Sequence, residues 1–297
     1  MPAGRLPVAA AVVGVVARTL AAVAAAVSCG HAAPVAAQIR IPLEVPAITT
    51  DLPPLALADT LYFRERVQES LAVLDGQLAT AATDSVQLLL AAHWRVARGA
   101  VTLAILAEDP DPGLDLDPDA AQAWLERAAA HGDSALAVDS AHVDALFWAA
   151  AAMGRLALHH GPRTSATLAE EVWTLAHRLL ERDPGHGGGH NILGKLNQEV
   201  MSLSGWERFL GRLLLRARPL REASWEAALT HHRRAVALEP EAVLFHLDLG
   251  RTLQLTGARD EARTVFRRGL ALPRLFPMDG VFQRRIAEHL EALDEGG

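Results

Sequence analysis

From Glu241 to Pro273 the sequence reads EAVLFHLDLGRTLQLTGARDEARTVFRRGLALP, and a segment patterned this way has few ways to fold. Apolar residues recur at helical spacing on both sides of Gly257, which predicts two amphipathic helices joined by a tight turn. Leu249, Gly250 and Leu253 mark the first helix; Ala262, Phe266 and Gly269 mark the second, before the closing Pro273. Small residues at Gly250, Ala262 and Gly269 let the two backbones approach, and Phe266 fills the space between them.

A Leu-Gly pair on a first helix, then Ala, Phe and a small residue on a second, with a closing Pro, resembles the tetratricopeptide repeat. Such a unit buries its apolar face only against neighbours, so further pairs should precede it. The hydrophobic-Gly pair recurs as Met153-Gly154, Leu193-Gly194 and Leu249-Gly250, and the closing turn as Asp183-Pro184, Glu239-Pro240 and Leu272-Pro273. Gly154, Gly194, Gly250, Ala262 and Phe266 are the candidate repeat-defining residues. The glycine spacings are 40 and 56 rather than 34, so the linkers are longer than in a regular array. Composition decides against sheets: 51% of residues are hydrophobic but only 5% aromatic, with Ala and Leu dominant. The expected fold is all-α, antiparallel helix pairs stacked as a tetratricopeptide-like right-handed solenoid with an irregular helical insertion.

Helices are expected over Asp59–Leu78, Asp84–Glu108, Ala120–Leu136, His142–His160, Leu168–Arg182, His190–Ser202 and Glu222–Leu238, ahead of the opening pair. Val281–Leu293, polar on one face, is the expected terminal cap. The acidic run EDPDPGLDLDPD excludes a helix between the second and third.

Residues 1–37 read as a signal peptide. Arg5 gives a positive start, Val8–Ala17 is an uncharged apolar run, and Val35-Ala36-Ala37 supplies the small residues a signal peptidase needs. Two alternatives stand beside it: a loose lipobox, Ala26-Val27-Ser28-Cys29, that would place a lipid on Cys29, and an uncleaved membrane anchor. Each takes the helical domain, 58–297, out of the cytoplasm, to the periplasm or beyond. Residues 38–57 carry four prolines and read as an extended linker. Cys29 is the single cysteine, so no intramolecular disulfide forms.

His190-Asn191-Ile192-Leu193-Gly194, then Leu203-Ser204-Gly205-Trp206, then Ala223-Ser224-Trp225-Glu226-Ala227-Ala228-Leu229, resembles the regulator of microtubule dynamics proteins. Phe147-Trp148 with Met153-Gly154-Arg155-Leu156 fits that family's preceding repeat, so the resemblance covers roughly Gln87–Leu293. It implies a tetratricopeptide-like domain behind an N-terminal segment, and no catalysis. Eukaryotic members are associated with microtubules, organelle contacts and, in one branch, lipid. An export signal of bacterial type argues against carrying over the microtubule role.

Motifs that suggest chemistry each have a plainer account. His186-Gly187-Gly188-Gly189-His190 has His-x3-His spacing for zinc, but three glycines oppose the helical turn this needs. As an oxyanion loop it lacks a Gly-x-Ser-x-Gly partner; the plain account is a loop at a helix start, with His190 packing on the next repeat. Asp115, Asp117, Asp119 and Glu126 match positions of a calcium loop, but its obligatory Gly is Ala120. Asp117 instead suits an N-cap, with Pro118 at the first helical position. His93, His159, His160, His231, His232 and His246 share no metal spacing. Neither a metal nor a cofactor is expected.

The insertion 203–222 is the most basic stretch of a chain whose net charge is −7. Trp206, Phe209 and Leu213 share one helical face, with Arg208, Arg212 and Arg216 at four-residue spacing away from it. These six are the candidate partner, lipid or membrane contacts. The acidic balance argues against nucleic acid. The expected function is a non-catalytic exported scaffold binding a protein or peptide on its concave face. The alternative is a lipid-binding or anionic-membrane-associated domain using the 203–217 helix.

Overall fold

A computed structural model of the chain describes residues 48, 52–82, 85–110, 116–204 and 217–295, all within one unit spanning 36–297. Among the described residues the backbone forms twelve α-helices and no strand. They are α1 Pro54–Phe63, α2 Val67–Thr80, α3 Val86–Glu108, α4 Ala121–Val138, α5 Val143–Leu156, α6 Pro162–Arg182, α7 Gly187–Ser202, α8 Arg218–Glu222, α9 Trp225–Leu238, α10 Val243–Leu255, α11 Arg259–Leu270 and α12 Asp279–Glu295. Consecutive helices pack as the pairs α1/α2, α3/α4, α5/α6, α7/α9 and α10/α11, and α12 lies against both members of the last. This is an all-α helical repeat fold.

One turn recurs between the pairs and sets their register. The amides of Asp139, Asp183 and Glu239 bond the carbonyls of Ala135, Leu179 and Ala235, at 3.0, 2.8 and 2.9 Å. The carbonyls of the same three residues accept from His142, His186 and Ala242, at 3.2, 3.1 and 3.2 Å. Counting back seven residues from each turn residue gives Gly132, Ala176 and His232; counting forward eleven gives Ala150, Gly194 and Gly250. The 34-residue period absent from the glycines is kept by the second helices, where Ala228, His232 and Ala235 answer Ala262, Phe266 and Gly269. Gly194 and Gly250 stand 56 apart because the insertion falls between them.

Close approach explains two of the glycines. A Cβ on Gly250 would land on the Phe266 ring, 2.5 Å from Cδ1 and 2.7 Å from Cζ. A Cβ on Gly194 would lie 2.6–2.8 Å from the His232 ring. Gly154, read from the sequence as their counterpart, is different: it lies one turn beyond the register, and a Cβ there would meet only Val172 Cγ2 at 3.7 Å. The register counterpart in that pair is Ala150.

The region expected as one helix, Asp59–Leu78, is two. The first begins earlier, because Pro54 takes a first-turn position, where a missing N–H costs nothing. It ends where Glu65 adopts φ 63°, with the Arg66 amide bonded to Leu61 O at 2.9 Å and the Glu65 amide to Tyr62 O at 3.0 Å. That is a Schellman closure built without glycine. The reversal brings Tyr62, Val67, Leu71 and Leu74 into one core. Gly187–Gly189 also depart from the expected loop: they form the first turn of α7. Cβ atoms there would meet the Glu239 carboxylate at 2.5 Å, Phe147 Cε2 at 2.5 Å and Leu180 Cδ2 at 2.9 Å. Neighbouring side chains occupy the volume that a helix ordinarily gives to its own.

The largest core joins α3, α4, α5, α10, α11 and α12 through Trp148, Leu253, Phe266, Phe282 and Ile286. Among the described residues α3 is the one helix long and apolar enough to cross a membrane, and 67% of that stretch is buried inside the fold.

Candidate functional site: a charged face on the first helices

The face that runs across the first helices is built from polar residues on otherwise apolar segments. On α7, Asn191, Lys195, Gln198 and Glu199 fall at spacings of four, seven and eight, one side of a 3.6-residue helix. On α10, Asp248, Arg251 and Thr252 meet them. Lys195 Nζ lies 3.0 Å from Glu199 and 3.2 Å from Asp248. Asn191 Nδ2 donates to Asp248 Oδ2 at 3.0 Å, and Thr252 Oγ1 donates to Gln198 Oε1 at 2.8 Å.

Asp248 is only 4% exposed. Burial alone would raise its pKa, but the Lys195 charge, with the Asn191 hydrogen bond, holds it below the usual carboxylate value. His232 closes the network from behind, its Nδ1 3.1 Å from Asn191 Oδ1. Burial pulls its pKa down to about 4, so the ring is neutral at pH 7.

The charges continue along the stack. Arg155 on α5 pairs with Glu108 at the end of α3. Arg284 and Arg285 on α12 pair with Asp109, at 3.1 and 3.5 Å. Arg251, half-buried, makes no ion pair among the described residues, although it acts electrostatically on both Asp248 and His289. Alternating charge with hydrogen-bonding amides suits the backbone and charged side chains of a chain laid across the helices. It does not suit an acyl chain. A cavity of about 210 Å³ lies elsewhere, open and lined by Ser140, Ala141, Leu146, Arg178, Glu181 and Arg182, which is smaller than ligand pockets usually are.

The contacts anticipated at Trp206, Arg208, Phe209, Arg212, Leu213 and Arg216 lie outside the described residues. The segment leaves from Leu203, which is 39% exposed. It returns at Ala217, after which the Arg218 amide donates to Glu170 Oε2 at 2.6 Å. The residues expected as a signal peptide, and Asp115 of the calcium pattern, also lie outside. Asp117 accepts from the Asp119 amide at 3.0 Å, and Glu126 Oε1 accepts from Gln122 Nε2 at 2.8 Å. Their carboxylates turn to local partners rather than to a shared centre. Among the described residues no three His, Cys, Asp or Glu side chains converge as a metal site.

His186 does not pair with His190 but caps α7, its Nδ1 accepting from the Gly189 amide at 3.1 Å. Histidines instead meet in pairs that spacing did not suggest: His93 with His131, and His190 with His231, each with Nδ1 atoms 3.0 Å apart. The signal for the charged face was present in the four-residue spacing of Asn191 and Lys195. Its partner Asp248 is on another pair and could not be matched from spacing.

The sequence model of the family described as regulator of microtubule dynamics protein 1-3 matches residues 58–294. Among solved structures, the crystal structure of a thermophilic TPR protein from Thermus thermophilus superposes with a TM-score of 0.54 at 18% identity, covering 80% of this chain and 97% of that one. At that identity the likeness is one of fold. No curated protein matches the sequence.

Proposed function

The chain belongs to the regulator of microtubule dynamics protein 1-3 family, and from that premise we propose that it is a non-catalytic, exported helical-repeat scaffold. Its partner is a protein or peptide, held on the face formed by Arg155, Lys195, Asp248 and Arg251. The observation that carries this reading is the ionised, 4% exposed Asp248 tied to Lys195 and Asn191, with Arg251, outside any ion pair among the described residues, beside it. A helix–helix contact alone would be better served by apolar residues there. Arg251 is positioned to meet a carboxylate of the partner. Export rests on the apolar run Val8–Ala17 and the small residues before Gln38.

The test is a photo-crosslinking residue in place of Glu199, at the edge of the face, in the full chain in its producing cell. A polypeptide adduct that disappears with Arg251→Glu is expected. A lipid adduct, or a polypeptide adduct indifferent to Arg251, would sink the reading. A second reading, contact with an anionic membrane through 203–217, is favoured by Leu203, 39% exposed at the start of that segment. It requires Arg208→Glu/Arg212→Glu to reduce flotation with anionic vesicles.

A further inference from the structure

Both histidine pairs bridge the two helices of one repeat, α3 to α4 and α7 to α9. His131 and His231 hold the same register, eight residues before the turn residues Asp139 and Glu239. The His190–His231 pair has a feature that decides its chemistry. His190 Nε2 lies 3.2 Å from the Pro184 carbonyl oxygen. A carbonyl only accepts, so Nε2 carries the proton, and in the neutral ring Nδ1 is a bare lone pair facing His231. Without a ligand, His231 Nδ1–H donates to it across 3.0 Å. Burial lowers the pKa of His190 and brings His231 down to about 4, so both rings are neutral at pH 7. Both are also half-exposed, so an ion can reach them.

A ring whose far nitrogen is fixed by a carbonyl and whose near nitrogen is bare is the usual arrangement of a metal-ligating histidine. His177 on α6 acts electrostatically on His231, and its own Nδ1 lies 2.8 Å from the Trp173 carbonyl oxygen. That bond leaves its Nε2 as the bare nitrogen.

We propose that His190 and His231 bind a zinc ion through their Nδ1 atoms, bridging α7 to α9 across the insertion, with water completing the coordination. Two nitrogens on a tetrahedral zinc at about 2.0–2.1 Å are about 3.4 Å apart. The present 3.0 Å therefore opens by a few tenths of an ångström, a small rotation of half-exposed rings. On binding, the Nδ1 proton of His231 moves to Nε2 of the same ring, the two Nδ1–zinc bonds form, and the histidine–histidine hydrogen bond is lost. The ion ties the first turn of α7 to the middle of α9 and stabilises that pair.

The experiment is calorimetric titration of the full chain with zinc chloride, beside His190→Gln/His231→Gln, with the thermal midpoint read with and without zinc. The expected result is one equivalent of zinc lost in the variant, together with the zinc-dependent rise in midpoint. A variant that keeps that equivalent overturns the proposal, as does a wild type that binds none. Should the double variant fail to fold, long-range ¹H–¹⁵N spectra of the wild-type rings decide it. Zinc must shift Nδ1 of both His190 and His231, and shifts confined to His93 and His131 overturn it.

Discussion

Gly250→Ala isolates the contact on which the last repeat depends. The added Cβ falls 2.5 Å from Phe266 Cδ1, and Phe266 has 0% exposure. His289 lies parallel beside it, ring centroids 5.4 Å apart with an interplanar angle of 5°, so the ring moves only by displacing its neighbours. Overpacking of this kind costs about 1–3 kcal/mol, and the full burial of the ring puts it near the upper end. Replacing a mid-helix glycine by alanine returns about 1 kcal/mol of helix propensity, leaving a net loss of about 2 kcal/mol. Removing the obstacle reverses the sign. Phe266→Ala alone should cost about 3–5 kcal/mol, but in that background Gly250→Ala gains its propensity term without a clash. The coupling between the two sites is then about 3 kcal/mol. Gly154→Ala is the control: its Cβ meets one methyl at ordinary contact distance, 3.7 Å, so it should stabilise by up to about 1 kcal/mol. Urea unfolding followed by far-ultraviolet circular dichroism measures all four variants. The reasoning fails if Gly250→Ala stabilises as Gly154→Ala does, or if the two costs simply add in the double variant.

Three further outcomes follow from buried polar groups. His232, fully buried and brought down to about 4, is protonated more readily in the unfolded chain, so stability is lost as pH falls from about 6.5 toward 4. The drop is about 3 kcal/mol by linkage, and urea midpoints for His232→Gln should decline less over that range than wild type. Glu239 has the opposite sign: burial pushes its carboxyl up to about 7, against the Gly187 and Gly188 amides that lower it. Its protonation stabilises the fold as pH falls from about 7 toward 4.5, so Glu239→Gln should raise the thermal midpoint more at pH 8 than at pH 5. Arg98, 6% exposed, bonds Asp59 at 2.6 Å and lies 3.9 Å over the Tyr62 ring. Arg98→Ala should cost about 3 kcal/mol or more and speed hydrogen exchange over 54–80, where α1 loses its tie to α3.

The helix content and the last pair were legible because period and turn chemistry agree there. The break after Phe63 was not. Phe63, Val67 and Leu71 keep a four-residue spacing straight through it, and nothing in Arg64-Glu65-Arg66 announces a positive φ at Glu65. The glycine run of α7 misled for a related reason: helix propensity is local, whereas the groups that fill that turn, Glu239 at the end of α9 and Phe147 on α5, are distant in sequence. Half of the charged face could be read, since Asn191, Lys195 and Glu199 share a stripe, but Asp248 looked like one more polar residue on α10. The histidine pairs were hidden likewise, because His190 and His231 meet only once the insertion is looped out.

The weakness of the repeat signature in the first half has a physical origin in volume. In the register set by the turns, position eleven after one turn and position seven before the next are occupied by Ala150 with Ala176, Gly194 with His232, and Gly250 with Phe266. Where the second helix carries a ring, the first carries no Cβ; where the second helix carries a methyl, the first has room for one. Gly132 shows the same exchange one interface earlier, where its own Cβ would sit 2.8 Å from that of Ala149. What recurs along the chain is a helix separation, and several residue pairs satisfy it. A search for Gly and Phe therefore finds only the last repeat, while His232, the occupant with a polar edge, ties the same packing position to Asn191 and through it to Asp248 on the charged face. In that repeat the interior residue that spaces the helices also orients the surface, so substitutions at His232 should alter partner binding and stability together, whereas substitutions at Phe266 should alter stability alone.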